Sequence, residues 1–128
     1  MRIYQGIDLV EMGKFRAVFG GRTALVEEIF TERERRYCYA SRDPLLHLAA
    51  RFACKEAASK ALGIGVCAIG MGHIFKEIEI LSNGFGKPDI SFHGWAEKIC
   101  KKREVTQATV SISHAGDYCI ASVILIGG

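Results

Sequence analysis

An α+β fold, with a mainly antiparallel sheet packed against a long central helix, is what this sequence predicts. Three observations lead there. Apolar residues alternate with period two near both ends of the 128-residue chain; one long helical pattern in the middle is started by Asp43-Pro44 and stopped by Gly63; and the later strand candidates are joined by short turns. The chain reads as one domain, residues 1–128, because its length is that of an ordinary domain, only two prolines occur, and no repeat, low-complexity tract or linker interrupts it.

Ile3 to Val10 fits a strand with Ile3, Ile7 and Leu9 on one face and Tyr4, Gly6, Asp8 and Val10 on the other, which sets Asp8 among apolar neighbours. From Glu11 the triad Phe15, Val18 and Phe19 has helical spacing, ended by Gly20-Gly21, and a second short helix carries Leu25, Val26 and Ile29. Thr31-Glu32-Arg33-Glu34 is a capping box and starts a third. In the central helix, expected from Asp43-Pro44 to about Leu62, Leu48, Phe52, Ser59 and Leu62 line one stripe and the small residues Ala50, Cys54, Ala57 and Ala61 another. Two buried faces would make it a rigid platform. Beyond the glycine-rich stretch Gly63 to Gly72, Ile74 to Leu81 reads as a strand, Asn83-Gly84-Phe85-Gly86 as a turn and Pro88 to Phe92 as the returning strand. Trp95, Ala96, Ile99 and Cys100 share a helix face, with Lys101-Lys102-Arg103 suiting its C-terminal dipole. Ala108 to Ser113 and Tyr118 to Ile126 close the chain around a turn at His114-Ala115-Gly116-Asp117.

Hydrophobic residues at 49% and charged residues at 24% provide a core and exclude a disordered chain. A mean hydropathy of +0.14 is apolar for so small a chain, and part of that surface is expected to be closed by another subunit. The longest nearly unbroken apolar run, Tyr118 to Ile126, is far short of the roughly 20 residues of a membrane-spanning helix. Met1-Arg2-Ile3-Tyr4 does not open a secretory signal, so a cytoplasmic location is expected. The cysteines Cys38, Cys54, Cys67, Cys100 and Cys119 form no CxxC pair and read as reduced packing residues. A net charge of +3 is too small to argue for nucleic acid.

Asp8 is the first chemical suspect, because a carboxylate among Ile7, Leu9 and Val10 is costly to bury without compensation; the plainer reading is an aspartate accepting backbone N–H bonds at a strand end. Glu56 is the second, lying at the edge of a buried stripe, although an ordinary solvated pair with Lys60 at i+4 is the alternative. Together they offer two hard oxygen ligands of the kind Mg²⁺ takes while completing its shell with water and substrate phosphates. Arg51, Lys55 and Lys60 add cations on the same helix and Arg42 precedes its N-terminus, a set that suits a phosphate-rich ligand, though helix arginines are usually just solvated. Gly63-Ile64-Gly65 follows a helix and is no dinucleotide fingerprint; Gly86-Lys87-Pro88 lacks P-loop spacing but could receive a nucleotide. Ser113 and His114 point to opposite faces of a strand and do not make a nucleophile and base, which leaves His114 a ligand-contacting or structural histidine.

Gly6-Ile7-Asp8-Leu9-Val10-Glu11 and Arg51-Phe52-Ala53-Cys54-Lys55-Glu56-Ala57-Ala58-Ser59-Lys60-Ala61-Leu62-Gly63, at this separation, resemble the holo-acyl-carrier-protein synthases, small members of the 4′-phosphopantetheinyl transferases. Ile78-Glu79-Ile80, Gly86-Lys87-Pro88 and Val110-Ser111-Ile112-Ser113-His114 extend the resemblance over nearly the whole chain. It implies the 4′-phosphopantetheinyl transferase fold and transfer of the 4′-phosphopantetheine group of coenzyme A to a serine of apo acyl carrier protein, in fatty acid biosynthesis, with release of 3′,5′-ADP. By the same resemblance Asp8 and Glu56 hold Mg²⁺, Lys60 stabilises charge on the phosphates, and Glu56 accepts the serine proton. Arg42, Arg51, Gly86, Lys87, Pro88 and His114 fall near the nucleotide of coenzyme A, and Lys14, Arg16 and Arg22 face the acidic carrier. A homotrimer with active sites at subunit boundaries is also implied. Gly13, Cys54 and the long segment Val66 to His73, which lacks a basic residue often found there, depart from the family pattern. Two other classes compete: a non-catalytic trimer that binds acyl carrier protein or a nucleotide, and a metal-dependent nucleotide phosphohydrolase.

Overall fold

The computed structural model describes residues 1–64 and 73–128. Most of the glycine-rich stretch, with Cys67 and the departure expected at Val66 to His73, therefore lies outside the described residues. The elements in order are β1 (Arg2–Glu11), α1 (Met12–Phe19), α2 (Thr23–Ile29), α3 (Glu32–Tyr39), α4 (Pro44–Ala61), α5 (His73–Glu77), β2 (Ile78–Ser82), β3 (Pro88–Phe92), α6 (Gly94–Lys102), β4 (Gln107–Ala115) and β5 (Tyr118–Gly127). The described strands form a three-stranded sheet ordered β1-β5-β4 and a two-stranded sheet β2-β3, antiparallel throughout. The α+β class and the antiparallel pairing are as expected.

β1 buries Gly6, Asp8 and Val10 and leaves Ile3, Ile7 and Leu9 outward, the alternation read from the sequence. Across the register, Asp8 faces Ala121 and Val10 faces Cys119, so the inner face of β5 is built of Cys119, Ala121, Val123 and Leu125. Over this face lies α4 with its fully buried Cys54, Ala57 and Ala58. The approach is so close that a Cβ on Gly6 would overlap the carbonyl oxygen of Ala57 and stand 2.8 Å from the amide nitrogen of Ala61. Glycine is required there by helix–strand contact, not by an unusual φ. Asp43 caps α4 by accepting the Leu46 N–H at 3.4 Å, and Gly63, at φ +76°, ends it as expected.

Three expectations needed correction. The stretch read as a strand from Ile74 begins as the helical turn α5, because Ile74, Phe75 and Ile78 are buried with helical spacing and the Glu77 carboxylate turns back to accept the Trp95 N–H at the start of α6. Val18 points to solvent; Met12, one turn before Phe15, takes the buried place instead. Lys55 does not join a row of ligand-facing cations. Its ammonium is fully buried, paired with Glu34 at 2.8 Å and donating to the carbonyls of Phe75 and Ile78. Glu34 meanwhile closes the capping box by accepting the Thr31 N–H at 2.8 Å and the Ile80 N–H at 2.9 Å. One buried pair thus ties α3, α4, α5 and β2.

α1 has no side-chain cap at its N-terminus. Its Met12 N–H donates instead to the carbonyl of Asp117, in the two-residue turn between β4 and β5, at 2.7 Å.

Removing one partner of a dry, fully bonded ion pair strands the other charge. Lys55→Met should lower the unfolding free energy by about 3–5 kcal/mol in urea titration at neutral pH; a loss below about 1 kcal/mol would mean that the pair is not closed to water.

Candidate active site

Asp8 sits near the end of β1 with only 8% of its surface exposed. The strand, not a helix cap, holds it: Oδ1 accepts from Lys60 Nζ at 3.1 Å, while Oδ2 is buried with no hydrogen-bond partner among the described residues. An orphaned carboxylate oxygen in so closed a position is costly unless a donor or cation completes it. Lys60 also donates to the carbonyl of Ile7 at 2.9 Å, so it spans the groove between α4 and β1 rather than forming the simple i,i+4 pair with Glu56.

Glu56 lies one residue before Ala57, whose carbonyl rests on Gly6, and this places its half-buried carboxyl against Asp8. Burial first, then the nearness of the Asp8 carboxylate and its charge, push the Glu56 carboxyl up to about 8 against an ordinary 4.5, with Lys60 working in the opposite direction. Two carboxyls close enough to share a proton, one with a free buried oxygen, can alternatively share a divalent cation; hard oxygen donors of this kind fit Mg²⁺. No group of three or more His, Cys, Asp or Glu side chains converges among the described residues, so Asp8 and Glu56 alone are an open, two-acid cradle.

The residues expected near a nucleotide lie elsewhere, and of them only Arg51 and His114 are brought toward one another, around His47. Arg51 is five positions before Glu56, about 140° around the helix, and points to the other side. Its guanidinium donates to the carbonyl of Ile80 at 3.2 Å and that of His47 at 3.5 Å, reaches Ser82 Oγ at 3.4 Å, and lies over the Tyr37 ring at 4.3 Å. His114, exposed near the end of β4, stands close enough to His47 to disfavour its charge; burial, Arg51 and His114 lower the His47 pKa against a smaller pull from Asp43. Lys87 is exposed behind Gly86, whose φ is +78°, and Pro88 opens β3; Arg42 is exposed just before α4. These residues therefore fall into two separate groups. Asp8, Glu56 and Lys60 meet on the β1 side of α4, while Arg51, His114 and the Gly86-Lys87-Pro88 turn lie toward β4 and β2, with β5 between the two edges.

Of the basic residues on and after α1, Lys14 is 86% exposed by its side chain. Arg16 reaches Asp43 through two bonds, 2.7 Å and 3.2 Å, and so braces α1 against the start of α4. Arg22 is exposed before α2, and with Arg16 it flanks a cavity of about 480 Å³ lined by Phe19, Val26, Tyr39 and Leu45. Sequence reasoning missed Tyr37 and His47, the aromatic walls around Arg51, because neither sits in a pattern that marks it.

The profile of the 4′-phosphopantetheinyl transferase superfamily matches residues 5–123. The chain is similar to the holo-[acyl-carrier-protein] synthase of Syntrophotalea carbinolica, 41% identical over 123 residues that cover 95% of this chain and 94% of the relative. It is 35% identical over 128 residues to that of Caldanaerobacter subterraneus subsp. tengcongensis, covering 100% of this chain and 98% of the relative. Among solved structures, the Chronobacterium ammoniagenes ACPS–CoA complex superposes with a TM-score of 0.85 at 30% identity, over 100% of this chain and 99% of the other.

Glu56 keeps its proton in the folded state through a pH range in which the unfolded chain, ionising near 4.5, has released it. More protons bound to the folded form means that stability falls as pH rises from about 4.5 towards about 8. In chelator, the melting temperature should fall over that range, and Glu56→Gln, which cannot ionise, should flatten the fall and melt higher at about pH 8. An unchanged slope in the variant would remove Glu56 as its source.

Proposed function

The chain belongs to the 4′-phosphopantetheinyl transferase superfamily, and from that premise we propose that it moves the 4′-phosphopantetheine group of coenzyme A onto a serine of apo acyl carrier protein for fatty acid biosynthesis, releasing 3′,5′-ADP. The observation that carries the reading is the cradle of Asp8 and Glu56 with its orphaned buried oxygen, beside Lys60. Asp8 and Glu56 would hold Mg²⁺, which when bound neutralises charge on the pyrophosphate and fixes its orientation. The carrier serine oxygen attacks the β-phosphorus, the bond to 3′,5′-ADP breaks, and Glu56 takes the serine proton. Lys60 lies at the mouth of the groove, half-exposed, where its ammonium can face the phosphates as negative charge builds.

Residues 1–128 act in this reading as one domain, in the cytoplasm, and as a homotrimer. Two features support the trimer. Ile3, Ile7, Leu9 and Ile120 form an outward apolar face of the three-stranded sheet, each more than a third exposed in the single chain. The acidic cradle and Arg51 also lie on opposite sides of α4, an arrangement that suits a neighbouring copy supplying the nucleotide side, with Arg42, Arg51, Gly86, Lys87, Pro88 and His114, to the carboxylate side of the first. The acidic carrier would meet Lys14 and Arg22, with Arg16 held beside the apolar cavity.

Incubation with coenzyme A, Mg²⁺ and an apo acyl carrier protein should raise the carrier mass by one phosphopantetheine. No gain with coenzyme A intact would favour a binding trimer, and no gain with coenzyme A cleaved a phosphohydrolase. Asp8→Asn should lower transfer by at least about 100-fold with the melting temperature kept; a rate near wild type at limiting Mg²⁺ would overturn the metal assignment.

Charge reversal at Lys14 and Arg22 should raise KM for the carrier and leave KM for coenzyme A unchanged. Arg16→Glu is the less selective variant, because it also sets two carboxylates against each other at the cap of α4. Equal loss for both substrates in the Lys14 and Arg22 variant would undo the division of surfaces.

A further inference from the structure

Phe85 is 99% exposed at the tip of the hairpin between β2 and β3. Such a tip ordinarily carries small polar residues, and a phenylalanine left wholly in water gains nothing from burial. The turn is nevertheless firmly built. Asn83 Oδ1 accepts the N–H of Phe85 at 2.8 Å and that of Lys87 at 3.1 Å, Asn83 N–H donates to the carbonyl of Lys87 at 2.8 Å, and Gly86 N–H returns to the carbonyl of Asn83 at 2.9 Å. Cβ atoms built on Gly84 and Gly86 would meet nothing within 4 Å, so the turn around the exposed ring is itself open to solvent. A cavity of about 230 Å³ opens at the foot of the turn, lined by Asn83, Lys87, Pro88, Asp89 and Thr109.

A flat ring held out on a fixed turn, two residues from an exposed lysine and above a small cavity, is the arrangement by which proteins grip a nucleotide: the aromatic face takes the base and the cation takes a phosphate. We infer that Phe85 is a base-stacking residue for the adenine of the nucleotide co-substrate, a contact that sets affinity for the nucleotide and plays no part in the chemistry at Asp8 and Glu56. The inference rests on the proposed use of coenzyme A. It gives the Gly86-Lys87-Pro88 turn a second element, in which Lys87 addresses charge and Phe85 addresses the base.

Calorimetric titration of the intact protein with 3′,5′-ADP and with ribose 3,5-bisphosphate, which lacks the base, tests it. Phe85→Ala should weaken 3′,5′-ADP binding about tenfold and leave the abasic ligand unchanged, and Phe85→Tyr should bind both like wild type. If Phe85→Ala binds 3′,5′-ADP like wild type, or loses both ligands equally, the stacking role is overturned while the transferase reading stands. Binding of neither ligand by the wild-type protein would overturn both. A fall in oligomer mass for Phe85→Ala in light scattering would assign the ring to a neighbouring copy and overturn the inference as well.

Discussion

The contact on which the rest of the molecule depends is the one between two backbones, where the carbonyl of Ala57 on α4 rests on Gly6 of β1. With no side chain between them, helix and strand approach far closer than ordinary side-chain packing allows. Everything in the acidic cradle is counted from that point. Asp8 is two residues further along the strand on the same face, Glu56 is one residue back on the helix, and Lys60 is one turn forward. The three charged groups meet because the backbones touch. The small stripe of Cys54, Ala57, Ala58 and Ala61 against Ala121 extends the close approach along the helix.

The same helix holds two lysine–carboxylate pairs that the solvent treats in opposite ways. Lys55 and Glu34 are both fully buried, and almost every polar direction is taken by backbone groups of α3, α5 and β2. Such a pair resists rearrangement and specifies one docking of α4. Lys60 and Asp8 lie at the groove mouth, with the lysine half-exposed and one carboxylate oxygen unsatisfied. The first pair is complete and structural; the second is incomplete and can accept something from outside. Charge of one chemistry is divided between scaffold and site by burial alone.

Much of the fold and the cradle could be read from the sequence, for identifiable reasons. Period-two patterning placed β1 and its faces, the Thr31 and Glu34 box placed α3, and Asp43-Pro44 with Gly63 bounded α4, because each of these signals is local. What could not be read depends on contacts distant in sequence. Ile74 and Phe75 are apolar in a run that suits either a strand or a helical turn, and the hydrogen bonds of Glu77 to Trp95 decide between them. Lys55 and Arg51 look like solvated helix cations until the carbonyls of Phe75, Ile78 and Ile80 arrive from other elements. Val18 has the right spacing to be buried, but α1 is short and its packed face is filled from Met12 instead.

The Met12–Asp117 hydrogen bond ties the beginning of α1 to a turn more than a hundred residues later, and β1 finds its partner only in β5. On the ribosome, then, the first strand and helix emerge without the elements that complete them. The three-stranded sheet, the cap of α1 and the floor beneath α4 can be completed only after nearly all of the chain described here has been made. High contact order of this sort slows folding and leaves Ile3, Ile7 and Leu9 uncovered in the nascent chain. The segment that carries Asp8 thus meets two demands, the close packing of the finished protein and solubility while it waits for β5.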